Sequence, residues 1–85
     1  MSNYQIFFTK QALKDLKLLS PKSKNRLKAV LTEVIAPDPF LGKKLVGELS
    51  GNYSYRLDIK NRIIYSVDKK KKEIYIKRTR THYGD

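Results

Sequence analysis

Residues 49–67, LSGNYSYRLDIKNRIIYSV, decide the fold. Tyr53, Tyr55 and Leu57 alternate with Ser54, Arg56 and Asp58. Ile63, Tyr65 and Val67 alternate with Arg62, Ile64 and Ser66. Alternation of period two marks strands with one buried face. A short joint between two such runs predicts a β-hairpin. A three-residue joint, Ile59 to Asn61, would pair Leu57 with Ile63, Tyr55 with Tyr65 and Tyr53 with Val67. That register keeps the apolar face whole. Asn61 would supply the left-handed residue such a joint needs. Arg56 and Arg62 then share the opposite face, which becomes a cationic working surface.

Before this stretch the chain reads as one strand and two helices. Tyr4 to Phe8 is apolar and aromatic, which suits a strand. Thr9 is positioned to cap a helix over residues 10–19, with Ala12, Leu13, Leu16 and Leu19 at helical spacing. Ser20-Pro21 restarts the chain as a cap followed by proline in the first helical position. Leu27, Val30, Leu31, Val34 and Ile35 then mark one face of a second helix over residues 21–36, ended by Pro37 and Pro39. The segment Asp38 to Lys44 is a loop and Leu45 to Leu49 a short strand. After the hairpin, Asp68 to Lys72 reads as a polar turn and Glu73 to Lys77 as a further strand. Helices followed by strands predict an α+β fold, with two N-terminal antiparallel helices on one face of a small antiparallel sheet. Residues 1–85 read as a single domain.

Nineteen Lys and Arg against eight acidic residues give a net charge of +11. A domain this basic calls for a polyanion: nucleic acid, an anionic membrane or an acidic protein. The helices carry Leu and Val on their apolar faces, not the bulky aromatics of a membrane-surface helix. No apolar run approaches the ~18 residues of a membrane span. The start, MSNYQIFF, lacks the pattern of a secretory signal, so a cytoplasmic protein is expected. There is no cysteine and a single histidine, which argues against a disulfide, thiol chemistry or a metal site. No cofactor is implied, since neither a P-loop nor a dinucleotide fingerprint is present.

The one histidine, His82, stands in RTRTHYGD beside Arg78, Arg80 and Tyr83. Metal-free cleavage of RNA requires the ribose 2′-OH to lose a proton and attack the adjacent phosphorus. Charge builds on the phosphoryl oxygens, and the 5′ oxygen takes a proton as it leaves. Arginines suit that charge because they bind phosphate bidentately. His82 could transfer a proton, and Tyr83 could donate one or stack on a base. Arg78, Arg80, Lys43 and Lys44 are candidate RNA contacts. Glu33, Glu48 and Asp58 show no paired-carboxylate spacing, and Ser50-Gly51 is a turn, not a nucleophile elbow.

The series KLVGELSGNYSYRLDIKNRIIYSV, a following strand and a terminal THY resemble the RelE/ParE superfamily of bacterial toxins. The likeness is greatest to its Txe/YoeB branch of messenger-RNA interferases. It implies a small antiparallel sheet with two N-terminal helices, and ribosome-dependent mRNA cleavage with contacts to ribosomal RNA. It also implies a cognate acidic antitoxin as partner. By motif position Arg62 matches the family's catalytic arginine. His82 and Tyr83 match the terminal His-Tyr pair, and Arg56 matches a basic position of the sheet face. The sequence departs from the branch where a glutamate is thought to act as general base. Lys43 stands there, which leaves that role unassigned. A ParE-like gyrase inhibitor, acting by protein binding alone, is the alternative that fold and charge also fit. An inactive relative retained as a repressor component is a third.

Overall fold

The computed structural model describes residues 3–80. Strand β1 (Gln5–Phe8) leads into helix α1 (Lys10–Leu18) and helix α2 (Pro21–Val30). Four strands follow: β2 (Lys43–Lys44), β3 (Asn52–Arg56), β4 (Arg62–Asp68) and β5 (Glu73–Arg78). They form one five-stranded sheet in the order β1-β5-β4-β3-β2. The pairs from β2 to β5 are antiparallel, as expected. Strand β1 joins β5 in parallel, so the sheet is mixed.

Local signals set the helices. The Thr9 hydroxyl accepts the Ala12 N–H at 3.2 Å, and the Ser20 hydroxyl accepts the Ser23 N–H at 3.2 Å, so each helix starts where its cap stands. Helix α2 is shorter than the apolar spacing suggests. From Leu31 to Ile35 the chain widens into a π-turn, closed by the Ala36 N–H on the Leu31 carbonyl at 2.9 Å. The apolar stripe persists through the change, with Leu31 and Ile35 both buried.

The core lies between the helices and one sheet face. Ala12, Leu19, Leu27 and Ile35 meet Ile63, Tyr65, Ile74 and Ile76 there. Tyr65 stacks on Tyr53, with ring centroids 5.7 Å apart, and Phe40 packs edge-on against Tyr53 at 5.8 Å. Burying such rings contributes about 1.5–3 kcal/mol each. Tyr53 is therefore a core residue.

The hairpin register differs from the expected one by two residues. Tyr53 pairs with Tyr65, Tyr55 with Ile63 and Arg56 with Arg62, leaving Leu57–Asn61 as the loop. Asp58 is the cause. Its Oδ1 accepts the backbone N–H groups of Lys60 (2.9 Å) and Asn61 (2.8 Å), while the Leu57 N–H donates to the Asn61 carbonyl (3.0 Å). This is an Asx-type turn that needs no left-handed Asn61. Among the described non-glycine residues only Lys72, in the β4–β5 turn, has positive φ.

The expected strand over residues 45–49 is also displaced. Pairing to β3 occurs at Lys43 and Lys44, and Gly47–Leu49 forms a 3-10 turn. Gly47, at φ +71°, takes the chain out of the extended conformation and ends the pairing. Among the described residues, no helix is long and apolar enough to cross a membrane.

Candidate active site

Alternation along β3 and β4 puts Ser54 and Arg56 with Arg62, Ile64 and Ser66 on the face opposite the core. Arg56 and Arg62 are direct cross-strand partners. Two like charges in that relation disfavour the sheet, and a bound anion would relieve the repulsion. One row along, Lys43 pairs with Ser54, and Ser54 with Ile64. Lys43, Leu45, Ser54 and Arg62 line a small cavity of about 220 Å³. Its wall holds two cations and no carboxylate. The Ser54 hydroxyl is buried there without a hydrogen-bond partner among the described residues.

The loop that delivers Lys43 is pinned from below. The Tyr65 hydroxyl donates to the Pro39 carbonyl at 2.7 Å, and burial pushes its pKa up to about 12. The same hydroxyl lies where a Cβ on residue 42 would stand, so glycine is required at Gly42 by close approach. Lys43 follows directly. Lys44 pairs with Tyr53 and does not line the cavity.

A second concavity, an open groove of about 1130 Å³, runs between the α1–α2 corner and the Leu57–Asn61 loop. Arg56, Arg80, Tyr55 and Arg26 are among its lining residues. The structure therefore brings Arg62 and Lys43 to one cavity, and Arg56 and Arg80 to another beside it. The loop side of the groove is tied to α2. Ser23 donates to Asp58 Oδ2 at 2.9 Å, and Arg26 donates to the Leu57 carbonyl. Burial would raise the Asp58 pKa, but hydrogen bonds from Asn61, Ser23 and Lys60 outweigh it and lower it.

The end of β5 reaches this region, as its pairing with β4 requires: Arg78 is the partner of Ile64, just past an irregularity in the ladder. Arg78 is engaged by Asp15 of α1, with Nε 2.7 Å from Oδ2. Asp15 Oδ2 also lies within reach of the N–H groups of Thr79 (3.1 Å) and Arg80 (3.4 Å), while Gln11 donates to Oδ1 at 3.0 Å. Burial pushes the Asp15 carboxyl up; the hydrogen bonds from Arg78, Gln11 and Thr79 overcome that, and the net shift is downward. Asp15 is 3% exposed. Nothing in the residue types around Asp15, among its charged neighbours Lys14 and Lys17, marks it as buried. The available signal was its spacing, since 12, 15, 16 and 19 form one helical stripe. His82 and Tyr83 lie outside the described residues.

Residues 8–83 match the model of the YoeB-like toxin of bacterial type II toxin–antitoxin systems, and the chain belongs to that family. Solved structures agree. The RelBE2 toxin–antitoxin complex from Mycobacterium tuberculosis contains a chain 29% identical at a TM-score of 0.86, with 100% of this chain and 97% of that one covered. The YoeB–YefM complex from Staphylococcus aureus is similar at 30% identity and TM-score 0.77, covering 96% of this chain and 100% of that one. In the intact Escherichia coli RelBE complex the values are 23% and 0.77, over 92% and 95%, a likeness of fold. No curated protein matches the chain in sequence.

Proposed function

We propose that this toxin cleaves messenger RNA in the cytoplasm by attack of the ribose 2′-OH on its own 3′ phosphorus. The new 2′-oxygen–phosphorus bond forms as the bond to the 5′ oxygen breaks. A proton leaves the 2′-OH and another reaches the departing oxygen, giving a 2′,3′-cyclic phosphate and a 5′-OH. The observation that carries this reading is the Arg62–Lys43 cavity, whose cations suit the charge that builds on the phosphoryl oxygens. Arg62 is the transition-state contact. Arg56, beside it on β3, is a phosphate contact, and Arg80 extends the basic surface along the groove. Arg78 serves first as the partner of Asp15. Lys44, exposed next to the cavity, is a peripheral RNA contact. Proton transfer falls to His82 and Tyr83, a role that the family likeness supports.

Lys43 occupies the place of the expected base and is cationic, so the 2′-OH must be deprotonated by another group or aligned for attack by the ribosome. An acidic antitoxin suits the +11 charge. The relatives in complex with antitoxins support such a partner.

The test is primer extension on messenger RNA after induction, together with purified toxin on RNA with and without ribosomes. New 5′ ends that vanish in Arg62→Ala are expected. Double-strand DNA breaks with intact mRNA would overturn the reading in favour of gyrase.

A further inference from the structure

The open sheet face carries a second feature, away from the arginines. Ile6 and Phe8 pack against the core, as do Ile74 and Ile76, so Phe7 and Tyr75 project from the opposite face. They are register partners on β1 and β5, and their rings stack with centroids 5.7 Å apart and planes inclined by 24°. Phe7 is 41% exposed. The Tyr75 hydroxyl donates to Glu73, which fixes the ring's orientation. The cross-strand row continues from Tyr75 to Ser66 and Asn52, two side chains too small to wall off the ring.

This row shares a face with Arg62. Ser66 lies four residues beyond it along β4, roughly 13 Å at the strand rise. A single-stranded RNA with a phosphate at Arg62 spans that distance in a few nucleotides. Lys77, exposed, follows two positions after Tyr75. Glu73 and Asp68 pair in the next row, past the aromatics. The Tyr75 hydroxyl is taken by Glu73 and the Phe7 ring has no polar group, which leaves a base, not a phosphate, as the group that meets the rings. Aromatic side chains on an open sheet face, beside cations, suit unstacked bases of single-stranded RNA.

We infer that the stacked Phe7–Tyr75 pair is a base-binding platform, a subsite holding an unpaired nucleobase of the RNA a few nucleotides from the phosphate at Arg62. The inference rests on the nuclease reading above.

The experiment measures binding of an uncleavable 2′-O-methyl RNA oligonucleotide at low salt, where phosphate contacts are strongest. Four proteins are compared: the parent, Phe7→Leu, the pair Phe7→Leu/Tyr75→Leu, and Arg62→Ala. Leucine keeps apolar bulk and removes the ring face, and melting curves verify folding. The double variant should bind roughly five- to hundredfold more weakly, and Phe7→Leu alone should show part of that loss. An abasic nucleotide at the platform position should weaken the parent and leave the double variant unaffected. Parent-like affinity in both leucine variants, with Arg62→Ala weakened, would overturn the platform and leave the nuclease reading standing. Unchanged RNA affinity with loss of a co-expressed antitoxin would make the patch a protein contact instead. If the parent protein does not bind the oligonucleotide, the platform falls, while the nuclease reading is judged separately by primer extension after induction.

Discussion

The Arg78 guanidinium stands 2.7 Å from the Asp15 carboxylate, joining the end of the last strand to the middle of the first helix. Asp15 is buried and Arg78 is 44% exposed in its side chain, so the pair is wet on one side only. Backbone amides of Thr79 and Arg80 converge on the same carboxylate. One side chain therefore fixes the backbone leading to the proposed catalytic tail. Asp15→Ala should lower stability by about 2–4 kcal/mol, because it leaves those donors unsatisfied. For a domain of this size each kcal/mol lost lowers Tm by roughly 4–8 °C, which thermal unfolding would detect. Faster amide exchange at Thr79 and Arg80 than at the centre of β4 would locate the damage. An Asp15→Ala protein melting like the parent would refute the assignment.

Acid should act through the same group. The Asp15 and Asp58 carboxyls sit below their ordinary pKa in the folded chain. A lowered folded pKa means that the unfolded state binds protons first. The stabilisation is thus present above the unfolded value, about 3.9, and is lost as pH falls through the folded value. Melting temperature should hold from pH 7 to about 5 and decline below about 4. Asp15→Asn should be less stable at neutral pH and show a shallower acid decline.

Arg62→Ala should abolish growth arrest while the protein still folds, since Arg62 faces its like-charged partner Arg56. A loss on the order of 10²-fold in cleavage rate is expected for removal of a transition-state donor. Arg62→Lys should recover little of it, because an ammonium cannot contact two phosphoryl oxygens in one plane. Arg56→Ala should be milder. Equal and full toxicity of all three would contradict the assignment.

Gly42→Ala tests the support beneath Lys43. Its Cβ would collide with the Tyr65 phenol, so either the Pro39 hydrogen bond or the β2–β3 pairing must give way. Tyr65→Phe removes the hydrogen bond without the collision and should cost about 1–3 kcal/mol, leaving the Pro39 carbonyl unpaired. In Gly42→Ala, RNA cleavage should fall further than in Tyr65→Phe at matched stability. Parallel assays of melting and cleavage would separate displacement of Lys43 from simple loss of stability.

Much of this was readable from residues whose signals are local. Thr9, Ser20 and Pro21 announce helix starts through contacts within one turn, and they stand where expected. Alternation in residues 53–67 identified the cationic face correctly. It could not set the register, because a shift of two residues leaves every side chain on the same face. The choice fell to Asp58, whose hydrogen bonds build a longer loop. The parallel partnership of β1 and β5 leaves no trace in either segment, since it joins residues 68 apart, Gln5 to Glu73. Asp15 was hidden for a related reason: apart from Gln11, its donors Arg78, Thr79 and Arg80 lie more than 60 residues away.

That parallel partnership also bears on when the sheet can close. Strand β1 finds its neighbour only after β5 has been made, and β5 is also the strand that α1 and β4 pack against. Closing so long a loop is entropically costly until the rest of the sheet can reward it. The hairpin of β3 and β4 can pair beforehand, but the five-stranded sheet closes only once β5 has been made.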